Sequence, residues 1–103
     1  MHYNFMECLT CKKTFEDTDE PRAGISIFVM GDEYIYSYVF CKRCGTYTVE
    51  AYHDRFMGED DIHFFTVDKE TGDRAIELIK ACPEPHNKYC ECASHKALYY
   101  GTP

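Results

Sequence analysis

The sequence has no long apolar run. Its longest largely apolar stretch, residues 25–30, is too short to cross a bilayer. The first seven residues carry neither the basic segment nor the apolar segment of an export signal. We therefore expect a cytoplasmic protein with no membrane association. In that compartment cysteines are more often metal ligands or nucleophiles than disulfides.

Basic residues are also scarce. Eleven Lys and Arg residues stand against eighteen Asp and Glu residues, which gives a formal net charge of −7. An acidic chain repels phosphate groups, so general binding to nucleic acid or to anionic lipid is not expected. The sequence lacks a glycine-rich phosphate loop, a Gly-x-Ser-x-Gly elbow and a His-Glu-x-x-His helix. We expect no enzyme, and we interpret His53 and His63 as structural histidines.

What the sequence does contain is a core and an unusual number of cysteines. Its 103 residues are 45% hydrophobic and 16% aromatic, enough for one folded domain over residues 1–103. It has seven cysteines. An odd number of thiols cannot all pair within one chain, which weakly favours metal ligation over disulfides.

Two cysteine pairs share one spacing. Two residues separate Cys8 from Cys11, and two residues separate Cys41 from Cys44. Such a gap lets a tight turn direct both sulfurs at one ion, and two such turns supply the four thiolates that structural zinc prefers. The 29 residues between the pairs are long enough for a β-hairpin. The sequence therefore predicts a shared tetrathiolate site; redox or disulfide pairs are the alternative.

These pairs resemble the paired knuckles of zinc-ribbon and rubredoxin-like domains. The resemblance spans roughly residues 5–55, and it implies a metal site that takes zinc or iron. Gly45, directly after Cys44, fits a knuckle turn that needs a residue with positive φ. Lys12, directly after Cys11, departs from that pattern. The basic residues around the knuckles are expected to offset the thiolate charge, with phosphate contact as the alternative. They are Lys12, Lys13, Lys42 and Arg43.

A second cluster of metal-binding residues lies near the C-terminus. A Cys3His zinc set can be assembled from Cys82, Cys90, Cys92 and His95. His86 is the alternative to His95 as the fourth ligand. Two other interpretations remain: free thiols with surface histidines, or an open catalytic site with three protein ligands and one water.

The pattern along the chain predicts an α+β fold with a small antiparallel sheet. Strands are expected over residues 25–30, 33–40, 46–53 and 62–67, with a turn at Gly31 and Asp32. Aromatic residues at every second position of residues 34–40 predict one aromatic face. A helix is expected from about residue 70 or 71 to 81, and a short helix or strand over residues 93–100, with Tyr99 and Tyr100 packing back. We divide the domain into a zinc-ribbon sheet, residues 1–67, and a helix with the C-terminal metal cluster, residues 68–103.

These features together predict a protein-interaction or adaptor module stabilised by two zinc ions, with another protein as its partner. The first alternative is electron transfer through one iron in the tetrathiolate site, because the same ligands hold either metal. The second is metal sensing or delivery, with the spare histidine serving an exchangeable site.

Overall fold

The computed structural model describes residues 6–16, 19–55 and 58–98. Four strands precede two helices. The elements are β1 (Arg22–Val29), β2 (Asp32–Cys41), β3 (Thr46–Asp54), β4 (Asp61–Asp68), α1 (Lys69–Ala81) and α2 (Ala93–Ala97). The strands form one antiparallel sheet in the order β1-β2-β3-β4. The predicted α+β class is confirmed, while the division of the domain at residue 67 stays a prediction.

The β1–β2 hairpin turns one residue earlier than predicted. Val29 pairs with Asp32, so the two-residue loop is Met30 and Gly31. Both loop residues have positive φ, 50° and 93°, as the tightest hairpin turns require. Glycine adopts this conformation freely, whereas Met30 is held in it by the register of the strands. Asp32 is therefore the first residue of β2.

The main core lies between one face of the sheet and α1. In β2 the predicted aromatic face is confirmed, with Tyr36 and Tyr38 buried against α1 residues Ile76 and Ile79. The other aromatic residues of that face, Tyr34 and Phe40, pack against the same core. Because alternate residues of a strand point to opposite faces, this row of tyrosines faces the core, with Tyr36 and Tyr38 buried and Tyr34 partly buried.

Helix α1 begins at a side-chain cap and ends at a cysteine whose backbone N–H donates to the Ile79 carbonyl. The Asp68 carboxylate accepts a hydrogen bond from the Thr71 backbone N–H at 2.8 Å, so the helix begins slightly before the predicted residue. Cys82 is its C-cap, and Pro83 follows, as the sequence indicated. Tyr99 and Tyr100 lie outside the described residues. Helix α2 confirms the helical alternative for the last segment.

A second, smaller core lies on the opposite face of β2. It contains two of the predicted ligands and apolar residues from the N-terminal segment. Its buried members are Met6, Cys8, Phe15, Val39 and Cys41. The free edge of β1 contacts the C-terminal segment, because the Ser26 N–H donates to the Pro85 carbonyl at 2.8 Å. Neither helix is long and apolar enough to span a membrane.

Candidate metal centres

The two Cys-x2-Cys pairs form matching turns. The Lys12 N–H donates to the Cys8 carbonyl at 2.9 Å, and the Gly45 N–H donates to the Cys41 carbonyl at 2.8 Å. The residue after each pair has positive φ, 67° at Lys12 and 72° at Gly45. The first turn therefore has the predicted knuckle conformation although a lysine occupies the position where glycine is favoured.

Backbone pairing holds the two knuckles in place. The second knuckle is itself the β2–β3 turn, since Cys41 ends β2 and Thr46 begins β3. The first knuckle is closed by a β-bridge between Glu7 and Thr14. It is joined to the sheet where the Leu9 N–H donates to the hydroxyl of buried Thr48 at 3.0 Å.

The four sulfurs of the knuckles converge. Cys8 Sγ lies 3.8 Å from Cys44 Sγ, and Cys11 Sγ lies 3.8 Å from Cys41 Sγ. All four sulfurs lie within 4.8 Å of one another, and none forms a disulfide. Zinc–sulfur bonds of ~2.3 Å in a tetrahedron place sulfurs roughly 3.8 Å apart. A disulfide would need about 2.05 Å. The arrangement fits a tetrathiolate zinc.

Backbone hydrogen bonds prepare one of these thiols for ionisation. Burial raises the pKa of Cys8, but hydrogen bonds from the backbone of Cys11 and Thr10 and from the thiols of Cys11 and Cys41 together outweigh burial and lower its pKa to about 6. The neighbouring thiols raise the pKa of Cys44 to about 12, with the hydrogen bond to Cys11 as the largest cause. Four thiolates crowd together only when a cation neutralises them, because each charge opposes the next ionisation.

The C-terminal cluster brings together the preferred set of four ligands. Cys82 Sγ lies 3.8 Å from Cys90 Sγ and 3.4 Å from Cys92 Sγ. Nδ1 of His95 lies 3.3 Å from Cys82 Sγ and 3.5 Å from Cys92 Sγ. In a tetrahedral zinc site, sulfur–nitrogen separations are about 3.5 Å. The Cys3His set therefore also fits zinc, and the four donor atoms lie within 4.8 Å of one another.

The second nitrogen of His95 explains which histidine joins the cluster. Its Nε2 lies 3.0 Å from the Ser26 carbonyl of β1, and both residues are buried. A carbonyl oxygen only accepts, so Nε2 carries the proton and Nδ1 presents its lone pair to the metal. Metal-binding histidines are commonly oriented in this way. His86 is outside the four-residue group.

Ionisation in the second cluster parallels that in the first. Burial raises the pKa of Cys92, but hydrogen bonds from the backbone and side chain of His95 outweigh it and lower the pKa to about 6. Burial is the main reason that the pKa of Cys82 rises to about 12, and the neighbouring thiols raise it further. Each cluster thus has one readily ionised thiol and one that holds its proton until a cation arrives.

The cations predicted to offset the thiolates differ in their surroundings. Lys13 donates to both carboxylate oxygens of Asp19 at 3.0 and 3.1 Å, and this contact raises the pKa of Lys13 more than any other. Lys12, Lys42 and Arg43 are exposed around the tetrathiolate. Lys13 is therefore engaged chiefly with a carboxylate, and the other three are the cations available to the site.

The two histidines set aside by sequence reasoning lie at the other end of the sheet. Nε2 of His53 lies 2.8 Å from Asp32, and its ring stacks on Tyr34 with 4.1 Å between centroids. His63 is on the edge strand β4 with a side chain 71% exposed. Neither belongs to a metal-binding group. Their positions agree with structural histidines.

Sequence reasoning missed two contributors to the sites. Thr48 anchors the first knuckle through its hydroxyl, and its alternation in β3 could have placed it on the knuckle side of the sheet. Ser26 contributes only a backbone carbonyl. No side-chain pattern marks such a group, so the sequence carries no signal for it.

Comparison of this chain with protein-family models, curated proteins and solved structures finds no significant match. The two candidate metal centres therefore depend on their own geometry. Within residues 6–16, 19–55 and 58–98, these are the two groups of potential metal ligands. In each group the donor atoms lie within 4.8 Å of one another.

Proposed function

We propose that this protein binds two zinc ions, a tetrathiolate zinc between the knuckles and a Cys3His zinc at the C-terminus, and that both have structural roles. The observation that carries the proposal is the spacing of the donor atoms, 3.8 Å between sulfurs in the first group. All four positions in each group are filled by protein atoms, which is typical of structural rather than catalytic zinc. Each ion joins segments distant in sequence, so metal binding contributes to folding.

We further propose that the zinc-stabilised domain is a protein-interaction module. The net charge of −7 disfavours nucleic acid as the partner. Tyr36 and Tyr38 of β2 are buried and Tyr34 is partly buried, so this row gives the proposal no support. A different tyrosine, Tyr89, is 64% exposed and supports it, because aromatic residues are enriched at interfaces.

An iron-containing tetrathiolate that transfers electrons is the second candidate. The matched knuckles and their positive-φ residues favour it as much as they favour zinc at that site. It assigns no role to the Cys3His group, whose histidine and spacing suit zinc. The metal-sensing alternative depends on a spare histidine that serves an exchangeable site. That histidine, His86, lies outside the C-terminal ligand group, so its position gives the alternative no support.

Elemental analysis of untagged protein tests the metal assignment. We expect two equivalents of zinc, a colourless preparation, and one equivalent after Cys11→Ser or Cys82→Ser. A red, redox-active preparation with one equivalent of iron would overturn it in favour of electron transfer. For the interaction role, a partner screen at physiological salt that returns only nucleic acids would contradict the proposal.

A further inference from the structure

The two edges of the sheet have different surroundings. At the β1 edge, the Ser26 N–H donates to the Pro85 carbonyl at 2.8 Å, and the Ser26 carbonyl lies 3.0 Å from Nε2 of His95. At the other edge, β4 pairs with β3 alone. Within the described residues, no backbone group from another segment hydrogen-bonds to β4. This eight-residue strand therefore has a row of peptide groups open to a partner.

The sequence of β4 lacks the features that commonly protect a free edge. Proteins shield exposed edges with proline, with lysine or with a β-bulge. The strand β4 contains neither proline nor lysine, and it pairs residue for residue with β3 from Asp61 to Asp68. The residues between these two aspartates are mostly apolar, and Phe64 is 37% exposed. Such an edge favours pairing with a further strand.

Carboxylates are concentrated at both ends of β4. Residues 54–61, which lead into the strand, include four acidic residues and one arginine. Residues 68–74, which end the strand and begin α1, include three acidic residues and two basic ones. Together these two stretches carry a net charge of −4, more than half of the −7 of the whole chain.

Ion pairs within these stretches do not cancel that charge. Arg55 pairs with Asp61 at 2.5 Å, and Lys69 pairs with Asp73 at 2.7 Å. Each of these pairs is neutral, so the excess lies on the carboxylates that remain. Glu59 at one end of β4 and Glu70 at the other are exposed, and neither forms an ion pair within the part of the chain that the structure describes.

Neighbouring elements do not neutralise the two ends either. His53 of β3 and His63 of β4 lie 3.7 and 3.5 Å from Asp61, and the formal charge counts both histidines as neutral at pH 7. Lys42 and Arg43 are exposed in the β2–β3 turn, which forms one side of the tetrathiolate. A zinc ion with four thiolates carries two negative charges, which these two cations offset. The β4 edge therefore stays acidic once these groups are counted.

The same charges argue against a second copy of this chain as the occupant of the edge. Pairing two β4 strands places an acidic end of one strand against an acidic end of the other in either direction, and like charges on paired strands are destabilising. The net charge of −7 on each copy adds to the repulsion. A strand with cations at both ends turns this repulsion into attraction.

We propose that the β4 edge binds an extended segment of a partner protein that has β-branched residues at its centre and lysine or arginine at both ends. The segment adds a fifth strand to the sheet, and its main-chain hydrogen bonds supply affinity. Its central side chains cover Phe64, and its cations meet the carboxylates at the two ends of β4. The inference deepens the proposed interaction role and depends on that role.

The test uses zinc-loaded protein labelled with nitrogen-15, at physiological salt, and synthetic octapeptides with blocked ends. The first peptide is Lys-Lys-Val-Thr-Val-Thr-Lys-Lys. Three matched peptides replace the lysines with glutamates, replace the centre with Gly-Ser-Gly-Ser, or carry N-methyl groups on the four central residues, which removes their main-chain donors. We expect the first peptide to shift the backbone amides of β4, to slow hydrogen exchange there, and to bind at least tenfold more tightly than each of the others.

Three results would overturn the proposal. Equal binding of any matched peptide would show that charge or composition alone decides the affinity. Shifts confined to another surface would place the peptide elsewhere. Dimerisation of the protein through β4, detected by sedimentation, would identify a second copy as the occupant.

Variants separate the edge from general electrostatic attraction. Thr66→Lys places a cation on an exposed residue of β4 and should weaken the first peptide about fivefold while two equivalents of zinc remain. Met30→Lys is the control, because Met30 is 93% exposed on the β1–β2 hairpin and the variant gains the same charge away from β4. It should bind within about twofold of the unaltered protein. Equal weakening in both variants would contradict docking at the edge.

Failure of this inference and failure of the proposed function give different results. A partner protein that binds at a surface other than β4 would retain the interaction role and remove this docking site. Absence of zinc from the unaltered protein would instead contradict the proposed metal sites.

Discussion

Nε2 of His95 lies 3.0 Å from the Ser26 carbonyl, joining residues 69 positions apart in the sequence. The contact connects the C-terminal ligand group to β1 and fixes the ring so that Nδ1 faces the three sulfurs. Beside it, the Ser26 N–H donates to Pro85. One residue of an edge strand thus positions both the fourth ligand and the loop that precedes it.

Replacing this histidine should remove one metal ion and leave the other. We expect His95→Ala to contain one equivalent of zinc by elemental analysis, because three sulfurs without the oriented nitrogen form an incomplete site. The thermal midpoint should also fall, since metal-binding free energy is part of folding free energy.

His86→Ala is the matched control for that experiment. His86 is in the same C-terminal region but outside the ligand group, so two equivalents should remain. Two equivalents in His95→Ala together with one in His86→Ala would reverse the assignment of the fourth ligand.

The ligands could be predicted from the sequence because they come as short, local patterns. Two-residue gaps in the knuckles reflect the geometry of a single turn, and alternation in β2 reflects the period of a strand. The contacts between these patterns could not be predicted in the same way. The Ser26 carbonyl is a backbone group, and Met30 is in the hairpin loop only because the register pairs Val29 with Asp32.

Zinc affinity should rise with pH, with proton release that can be counted. In the metal-free protein at pH 7, Cys44 and Cys82 hold their protons, because their pKa values are raised to about 12. Cys8 and Cys92, with pKa values lowered to about 6, are mostly thiolates at that pH. Each zinc must therefore displace at least one proton, and affinity should change about tenfold per pH unit for each proton released.

Competition with a chelator of calibrated pH dependence measures this relationship. Below about pH 6 the zinc affinity should fall more steeply with decreasing pH, because Cys8 and Cys92 then take up protons as well. An affinity that stays constant between pH 5.5 and 8 would contradict thiolate ligation.

The two knuckles allow a paired test of backbone conformation. Gly45 has a φ of 72°, and a Cβ there would meet no atom within 4 Å. Gly45→Ala should therefore cost only the conformational strain, about 1–2 kcal/mol. Lys12 has a φ of 67°, so Lys12→Gly should relieve backbone strain. We expect it to raise the free energy of unfolding by less than about 1 kcal/mol.

Denaturant unfolding of zinc-saturated protein measures both effects. Lys42→Gly is the control for the second substitution, because Lys42 is an exposed knuckle residue without positive φ. Glycine there gains nothing in the folded state and increases the freedom of the unfolded chain, so stability should fall. If Lys12→Gly lowers the free energy of unfolding as much as Lys42→Gly does, the backbone at Lys12 is not strained as inferred.

The approach of α1 to the sheet depends on a glycine. A Cβ built on Gly72 would lie 2.0 Å from Cδ1 of Tyr47, a fully buried residue of β3. Glycine to alanine within a helix ordinarily stabilises a protein by about 1 kcal/mol. Here the clash reverses the sign, and Gly72→Ala should cost about 1–3 kcal/mol of unfolding free energy.

The substitution Glu77→Ala is the control, because Glu77 is an exposed residue of the same helix. It should leave the unfolding free energy within about 0.5 kcal/mol. Tyr47 cannot move away freely, since its hydroxyl donates to Asp73 of the same helix at 2.5 Å. The double variant Tyr47→Leu with Gly72→Ala should therefore be more stable than the sum of the single losses implies, because the smaller side chain removes the clash. Strict additivity would mean that the helix and the strand are not in contact at this point.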